Sequence, residues 1–110
     1  MESPTLDISP EDLHRRLQAG DDIQLVDVRE EMEFDYCHLP GSLLVPLDEV
    51  PGRAAEIRSD GPVVVICHHG VRSNHAAGYL RHRLGRTNVL NLRGGVAAWA
   101  ARVDPAFPTY

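Results

Sequence analysis

The run GPVVVIC (61–67) constrains this chain more than any other stretch. It has no polar residue between Pro62 and Cys67, so a strand built from it is apolar on both faces. Such a strand must be covered on both faces, which predicts the central strand of a parallel sheet. The flanking segments agree. ISPEDLHRRLQAGDD opens a helix, with Ser9 as N-cap, Pro10 at the first helical position and Asp12 three residues after the cap. Leu13 and Leu17 share one face, and Gly20 ends the helix. IQLVDV (23–28) reads as a buried strand, REEMEFDY (29–36) as a short acidic helix and LLVP (43–46) as a short strand. LDEVPGRAAEI reads as a helical segment interrupted by Pro51 and Gly52. RSNHAAGYLRHRLG forms a helix with Ala76, Leu80 and Leu84 on one face and Gly85 as C-cap. NVLNL (88–92) is a further strand, GGVAAWAA starts a last helix, and VDPAFPTY is expected to lie extended.

Strands alternate with helices throughout. The pattern predicts an α/β fold, a small mostly parallel sheet flanked by helices on both faces. A length of 110 residues, with no linker and no repeat, predicts a single domain over 1–110. In such sheets ligands bind beyond the C-terminal ends of the strands.

Charge and composition exclude several functions. The net charge of −5 and pI near 5.6 give no overall attraction to nucleic acid or acidic membranes. All 11 basic residues are arginine, which excludes a lysine nucleophile. The start, MESPTLDISP, has neither a basic region nor an apolar run, so no leader is expected, and no window is apolar enough to span a membrane. Two cysteines, Cys37 and Cys67, are too few for a disulfide scaffold, and a reducing cytoplasmic setting is the expectation.

The predicted central strand runs into CHHGVRS (67–73) and then a helix. A loop entering a helix gathers backbone N–H groups at the positive end of the helix dipole and forms an anion cradle. Gly70 permits positive φ or close backbone approach within it, and Arg72 adds a permanent positive charge. A cysteine at the mouth of such a cradle is placed where its thiolate, the nucleophilic form, is favoured. Taken alone, a cysteine after an apolar strand is a small buried hydrophobe. Gly70 and Arg72 at these spacings favour a nucleophile whose substrate or product is an anion.

Cys-X-X-Gly-X-Arg-Ser after a strand resembles the active-site loop of rhodanese-domain sulfurtransferases. LVDVREEMEFDYCHLPGSLLVPL resembles the N-terminal signature of that family, and LNLRGGVAAW, with Trp99, resembles its C-terminal signature. VDPAFPTY is similar to the end of rhodanese domains fused to sulfur-carrier adenylating enzymes. The resemblance covers about residues 6–110. It implies the rhodanese-like fold, no cofactor, and Cys67 as the residue that takes sulfur from a small-molecule donor such as thiosulfate. The acceptor is then cyanide, a small thiol or a protein thiol. The backbone N–H groups of residues 68 to 72, thus His68, His69, Gly70, Val71 and Arg72, ring the transferred sulfur. Related phosphatase-type members carry one more residue between the cysteine and the arginine. The four residues HHGV fit the tighter ring, sized for one sulfur atom. A carrier or binding module with little free-substrate turnover is the alternative of a different class.

Other residues are weighed singly. Cys67, His68, His69 and His75 invite a metal reading, but three consecutive ligands converge poorly on one ion. The two loop histidines are expected at the rim, partly charged near pH 7, as solvent-facing groups or as substrate contacts. They stand where many thiosulfate-using relatives carry Arg or Lys. Arg72 either orients an anionic donor or braces the loop by pairing with a carboxylate such as Asp27. Arg29 and Glu33 read as a supporting ion pair or hydrogen-bond partners, and Ser73 as a supporting residue. Cys37 stands where the family usually has glycine, as a passive side chain or as a resolving thiol. His38 is expected to bond a backbone carbonyl, and Tyr79 and Trp99 to pack. EEMEFD reads as a solvated helix face.

Overall fold

The computed structural model describes residues 6–110. Residues 1–5, part of the stretch read as free of a leader, lie outside the described residues. The elements in chain order are β1 (Asp7–Ile8), α1 (Pro10–Gln18), β2 (Gln24–Asp27), α2 (Glu31–Tyr36), β3 (Leu43–Leu44), α3 (Val50–Arg53), β4 (Val63–Ile66), α4 (Val71–Leu84), β5 (Val89–Leu92) and α5 (Gly95–Arg102). Single 3-10 turns at Leu47–Glu49 and Ala54–Glu56 flank α3. Pro51 and Gly52 sit within this broken helical stretch.

The five strands form one sheet in the order β1-β5-β4-β2-β3, and every pair is parallel. The apolar run places β4 at the centre, with Val26 beside Val65 and Val64 beside Leu90. Successive side chains of a strand point to opposite faces, and both faces of β4 are filled. Val63 and Val65 pack with Val26, Val45 and Ile57 beneath Ala76, Ala77 and Leu80 of α4. Val64 and Ile66 pack with Leu25 and Leu92 against Leu13 of α1 and Val96 and Trp99 of α5. All four β4 side chains are fully buried. Each stabilises the fold by about 1.5–3 kcal/mol relative to exposure.

The α1 start is as read. The Ser9 hydroxyl accepts the Asp12 N–H at 3.0 Å, and Pro10 opens the helix. At the other end of α4, Gly85 caps in the left-handed region, φ 68°, a conformation that favours glycine.

One strand was not anticipated and two expectations are corrected. β1 pairs Asp7 with Asn91 and Ile8 with Leu92 at the sheet edge, but two residues are too few to show a period. Leu84 is exposed, because the last turn of α4 runs beyond the sheet that Leu80 covers. The tail does not simply extend. The Phe107 N–H donates to the Asp104 carbonyl at 2.9 Å, and this turn buries the Phe107 ring among the α1 and α5 residues.

Candidate functional site

Strand β4 ends at Ile66 and delivers Cys67 to the C-terminal edge of the sheet, where α4 begins four residues later. The loop between them is held from the side by α5. Val96 N–H donates to the Cys67 carbonyl at 2.9 Å, and Ala97 N–H to the His68 carbonyl at 3.0 Å. This contact requires Gly95. Its φ is +64°, and a Cβ there would overlap the carbonyl oxygens of Cys67 and His68. Gly70 has φ +100° as the N-cap of α4, and a Cβ on it would press to 3.2 Å from the Gly94 nitrogen. Gly70 and Gly95 therefore serve one purpose: they let the starts of α4 and α5 and the loop after β4 approach backbone to backbone.

Cys67 is 1% exposed. Its Sγ accepts the Gly70 N–H at 3.0 Å and lies 3.3 Å from the Ser73 hydroxyl. Ser73 Oγ also hydrogen-bonds Asn91 Oδ1, and Asn91 Nδ2 donates to Asp7 Oδ1 at 3.2 Å. A hydroxyl has one proton to give. Toward a thiolate, Ser73 donates to sulfur; toward a thiol, it accepts from sulfur and donates to Asn91. The site can therefore hold either form of Cys67 without leaving Ser73 unpaired.

The charged residues pair differently from expectation. Arg72 does not reach Asp27. It grips Glu33 with both forks, Nη1 to Oε1 at 2.7 Å and Nη2 to Oε2 at 3.0 Å. Asp27 is taken by Arg29 instead, through Nε at 2.9 Å and Nη2 at 2.8 Å, with both side chains 0% exposed. Arg29 and Glu33 are thus not partners of each other; each anchors a different charge. Burial works against the Arg29 charge, but its bonds to Asp27 outweigh that and hold it firmly protonated. Glu33 is held down at about 2, first by the Arg72 hydrogen bonds and against the effect of burial. Its Oε1 also accepts the Glu30 N–H at 3.0 Å, part of the capping box that starts α2.

His68 and His69 lie at the rim, rings 4.0 Å apart between centroids. Burial and the neighbouring His69 push the His68 imidazole below its ordinary value, which favours its neutral form. The Val71 side chain is exposed. His38 Nδ1 bonds the Phe34 carbonyl at 2.7 Å, Trp99 is buried and Tyr79 packs on the core. Cys37 is buried. Its Sγ lies 3.9 Å from the Pro108 carbonyl and 4.0 Å from Arg29 Nη1, and its carbonyl accepts Arg29 Nη2 at 2.6 Å. Among the described residues no three of His, Cys, Asp and Glu gather as a metal-binding group. No described helix is long and apolar enough to cross a membrane.

Two residues of the site escaped the sequence reading. Asn91 is a buried polar side chain within an otherwise apolar strand, a signal that was available in NVLNL. Tyr110 stacks on His68, centroids 4.0 Å apart and planes 10° from parallel. Its hydroxyl accepts from Arg29 Nη1 at 2.7 Å and donates to Glu33 Oε2 at 2.9 Å. No local pattern in the sequence announces that placement.

The sequence matches the family Rhodanese, described as rhodanese-like domain, over residues 9–102. A sulfurtransferase of Allochromatium vinosum is 42% identical over 94 residues, which are 86% of this chain and 87% of that protein. The adenylyltransferase and sulfurtransferase MOCS3 of Drosophila sechellia is 38% identical over 111 residues, 94% of this chain but only 24% of that protein. The crystal structure of a rhodanese-related protein from Thermoplasma volcanium superimposes with a TM-score of 0.77 at 28% identity, covering 93% of this chain and 94% of the other.

Proposed function

The chain belongs to the rhodanese-like domain family and is of its sulfurtransferase type, and from that premise we propose that it carries sulfane sulfur on Cys67. One observation supports the reading above the others. The Cys67 sulfur sits under the start of α4 with a backbone N–H at 3.0 Å and a hydroxyl at 3.3 Å. Such donors favour a thiolate and then a negatively charged persulfide in the same place.

In the first half-reaction the Cys67 thiolate attacks the outer sulfur of a donor such as thiosulfate. A bond forms from Sγ to that sulfur, the donor's own S–S bond breaks, and sulfite leaves with the electron pair. The N–H groups of residues 68 to 72 stabilise the negative terminal sulfur. In the second half-reaction a thiophilic acceptor (cyanide, a small thiol or a protein thiol) attacks the terminal sulfur. The electron pair of the persulfide bond returns to Sγ as thiolate. This is covalent catalysis in two displacements. Neither half needs a general base once Cys67 is ionised. Arg29 and Asp27 brace the strand ends, while Glu33 positions Arg72.

Incubation with thiosulfate is expected to add about 32 Da, the mass of one sulfur held as a covalent intermediate. Intact mass spectrometry should find the adduct on wild type, reversed by a reductant and absent from Cys67→Ser. An adduct on Cys37, or none, overturns the assignment.

A second reading is a sulfur-carrier or binding module with little free-substrate turnover. It is favoured by the match of nearly the whole chain to 24% of a longer adenylyltransferase and sulfurtransferase. Thiosulfate:cyanide turnover separates the two. A loaded wild type that passes sulfur to a protein thiol, yet turns over no faster than Cys67→Ser, selects the carrier.

A further inference from the structure

Cys67 is 1% exposed, yet any reagent or substrate must reach its sulfur. The cradle runs from Cys67 to Arg72, and one side chain is tied to both of its ends. The Tyr110 ring lies flat on His68 at the first end. The Tyr110 hydroxyl holds Glu33 at 2.9 Å, and Glu33 grips Arg72 at the other end. A recess of about 90 Å³ remains between the loop and the tail, lined by His68, His69, Pro108, Thr109 and Tyr110. That is room for a few atoms and not for a bulky group.

We propose that Tyr110 is a specificity-determining residue of this site, a ring that bridges the mouth of the cradle and sets the size of molecule that reaches Cys67. The tail is built to place it. Phe107 is buried and fixes the turn that starts at Asp104. The Pro108 carbonyl then faces the Cys37 thiol, which gives the cysteine found in place of glycine a local role. Thr109 and Tyr110 follow these anchors and carry the chain across the loop. The cover is displaceable, because the Tyr110 residue keeps 47% of its surface in solvent. Its phenol stays neutral, pushed up to about 12 by burial and by its bond to Glu33, although Arg29 works the other way. A neutral phenol accepts from Arg29 and donates to Glu33 at once, which orients the ring over His68.

The inference rests on Cys67 being the reactive thiol, and its test does not require sulfur transfer. Alkylation of Cys67 is followed by peptide mass mapping with a small reagent, iodoacetamide, and a bulky one, fluorescein maleimide. Tyr110→Ala is expected to raise the rate with the bulky reagent roughly tenfold, the upper end of what an aromatic pair holds closed. The rate with iodoacetamide should change much less. Tyr110→Phe keeps the ring and its stack on His68 but loses the hydroxyl's bonds to Arg29 and Glu33, so its ratio should lie between wild type and Tyr110→Ala. An unchanged ratio in Tyr110→Ala overturns the proposal, as does a Tyr110→Phe variant as open as Tyr110→Ala. Should Tyr110→Ala fail to fold, His68→Ala removes the other half of the stack and must give the same bias toward the bulky reagent. If the ratio shifts while thiosulfate leaves no adduct, the cover stands and the sulfurtransferase reading falls.

Discussion

Replacing Glu33 by glutamine keeps the side chain's size and its acceptor oxygen but removes the charge that grips Arg72. The glutamine can still accept the Glu30 N–H, so the start of α2 is preserved. The carboxyl of Glu33 is held at about 2 against an ordinary 4.5. At about 1.36 kcal/mol per tenfold change in acidity, that difference corresponds to about 3 kcal/mol. Arg72 keeps 32% of its side-chain surface in water, which screens the pair. The expected loss on Glu33→Gln at pH 7 is therefore about 1–2 kcal/mol. The sign with pH follows from linkage. A carboxyl with a depressed folded pKa contributes its full stability above its unfolded value and loses it as pH falls toward the folded value. The gap between wild type and Glu33→Gln should thus be constant from pH 7 to near 5, shrink between 4.5 and about 2, and close near 2. Urea unfolding at four pH values, followed by the fluorescence of buried Trp99, measures it. A gap that stays constant to pH 2, or widens on acidification, refutes the claim that the Arg72–Glu33 pair carries the charge-dependent stability of the site.

Two further substitutions probe the frame that holds the cradle. Gly95→Ala should cost about 2 kcal/mol or more in thermal or urea unfolding, because it forces a side chain into a left-handed position against the Cys67 and His68 carbonyls. It should also slow sulfur loading, since Val96 and Ala97 would release those carbonyls. Arg29→Met should cost about 3–5 kcal/mol by leaving the Asp27 carboxylate buried and unpaired, whereas the double variant with Asp27→Leu should recover most of that loss. Chemical denaturation of the two variants side by side checks the difference.

The legible parts of the molecule are those decided by neighbours in sequence. The apolar run PVVVI fixes a central strand because a strand without a polar face has nowhere else to go. Ser9 and Gly85 act within a few residues of themselves, and so their caps were readable. The closeness of Gly70 to Cys67 was readable for the same reason, since both belong to the short loop that precedes α4. The choice of ion-pair partners was not. Asp27 and Glu33 were both available carboxylates, and what assigns them is depth. Arg29 leaves the sheet two residues after Asp27, so it reaches that carboxylate without leaving the core. Arg72, on the exposed start of α4, meets Glu33 on the face of α2. Tyr110 was least legible, because its position depends on the Asp104 turn and the Phe107 anchor rather than on its own surroundings in the sequence.

Depth also decides what each arginine is free to do. A guanidinium has five N–H groups to place. Arg29, fully buried, commits its groups to Asp27, the Cys37 carbonyl and the Tyr110 hydroxyl, and no solvent reaches it. An incoming anion has no route to it and no reason to displace Asp27. Arg72 spends one N–H of each fork on Glu33 and remains one-third exposed. Its remaining N–H groups take no hydrogen-bond partner among the described residues, so it can brace the loop and still be available to an anionic donor. The two readings of Arg72, brace and donor contact, therefore do not compete. The bond to Glu33 fixes the direction in which the free N–H groups point. The Tyr110 bond to the same carboxylate couples that direction to the cover over the cradle.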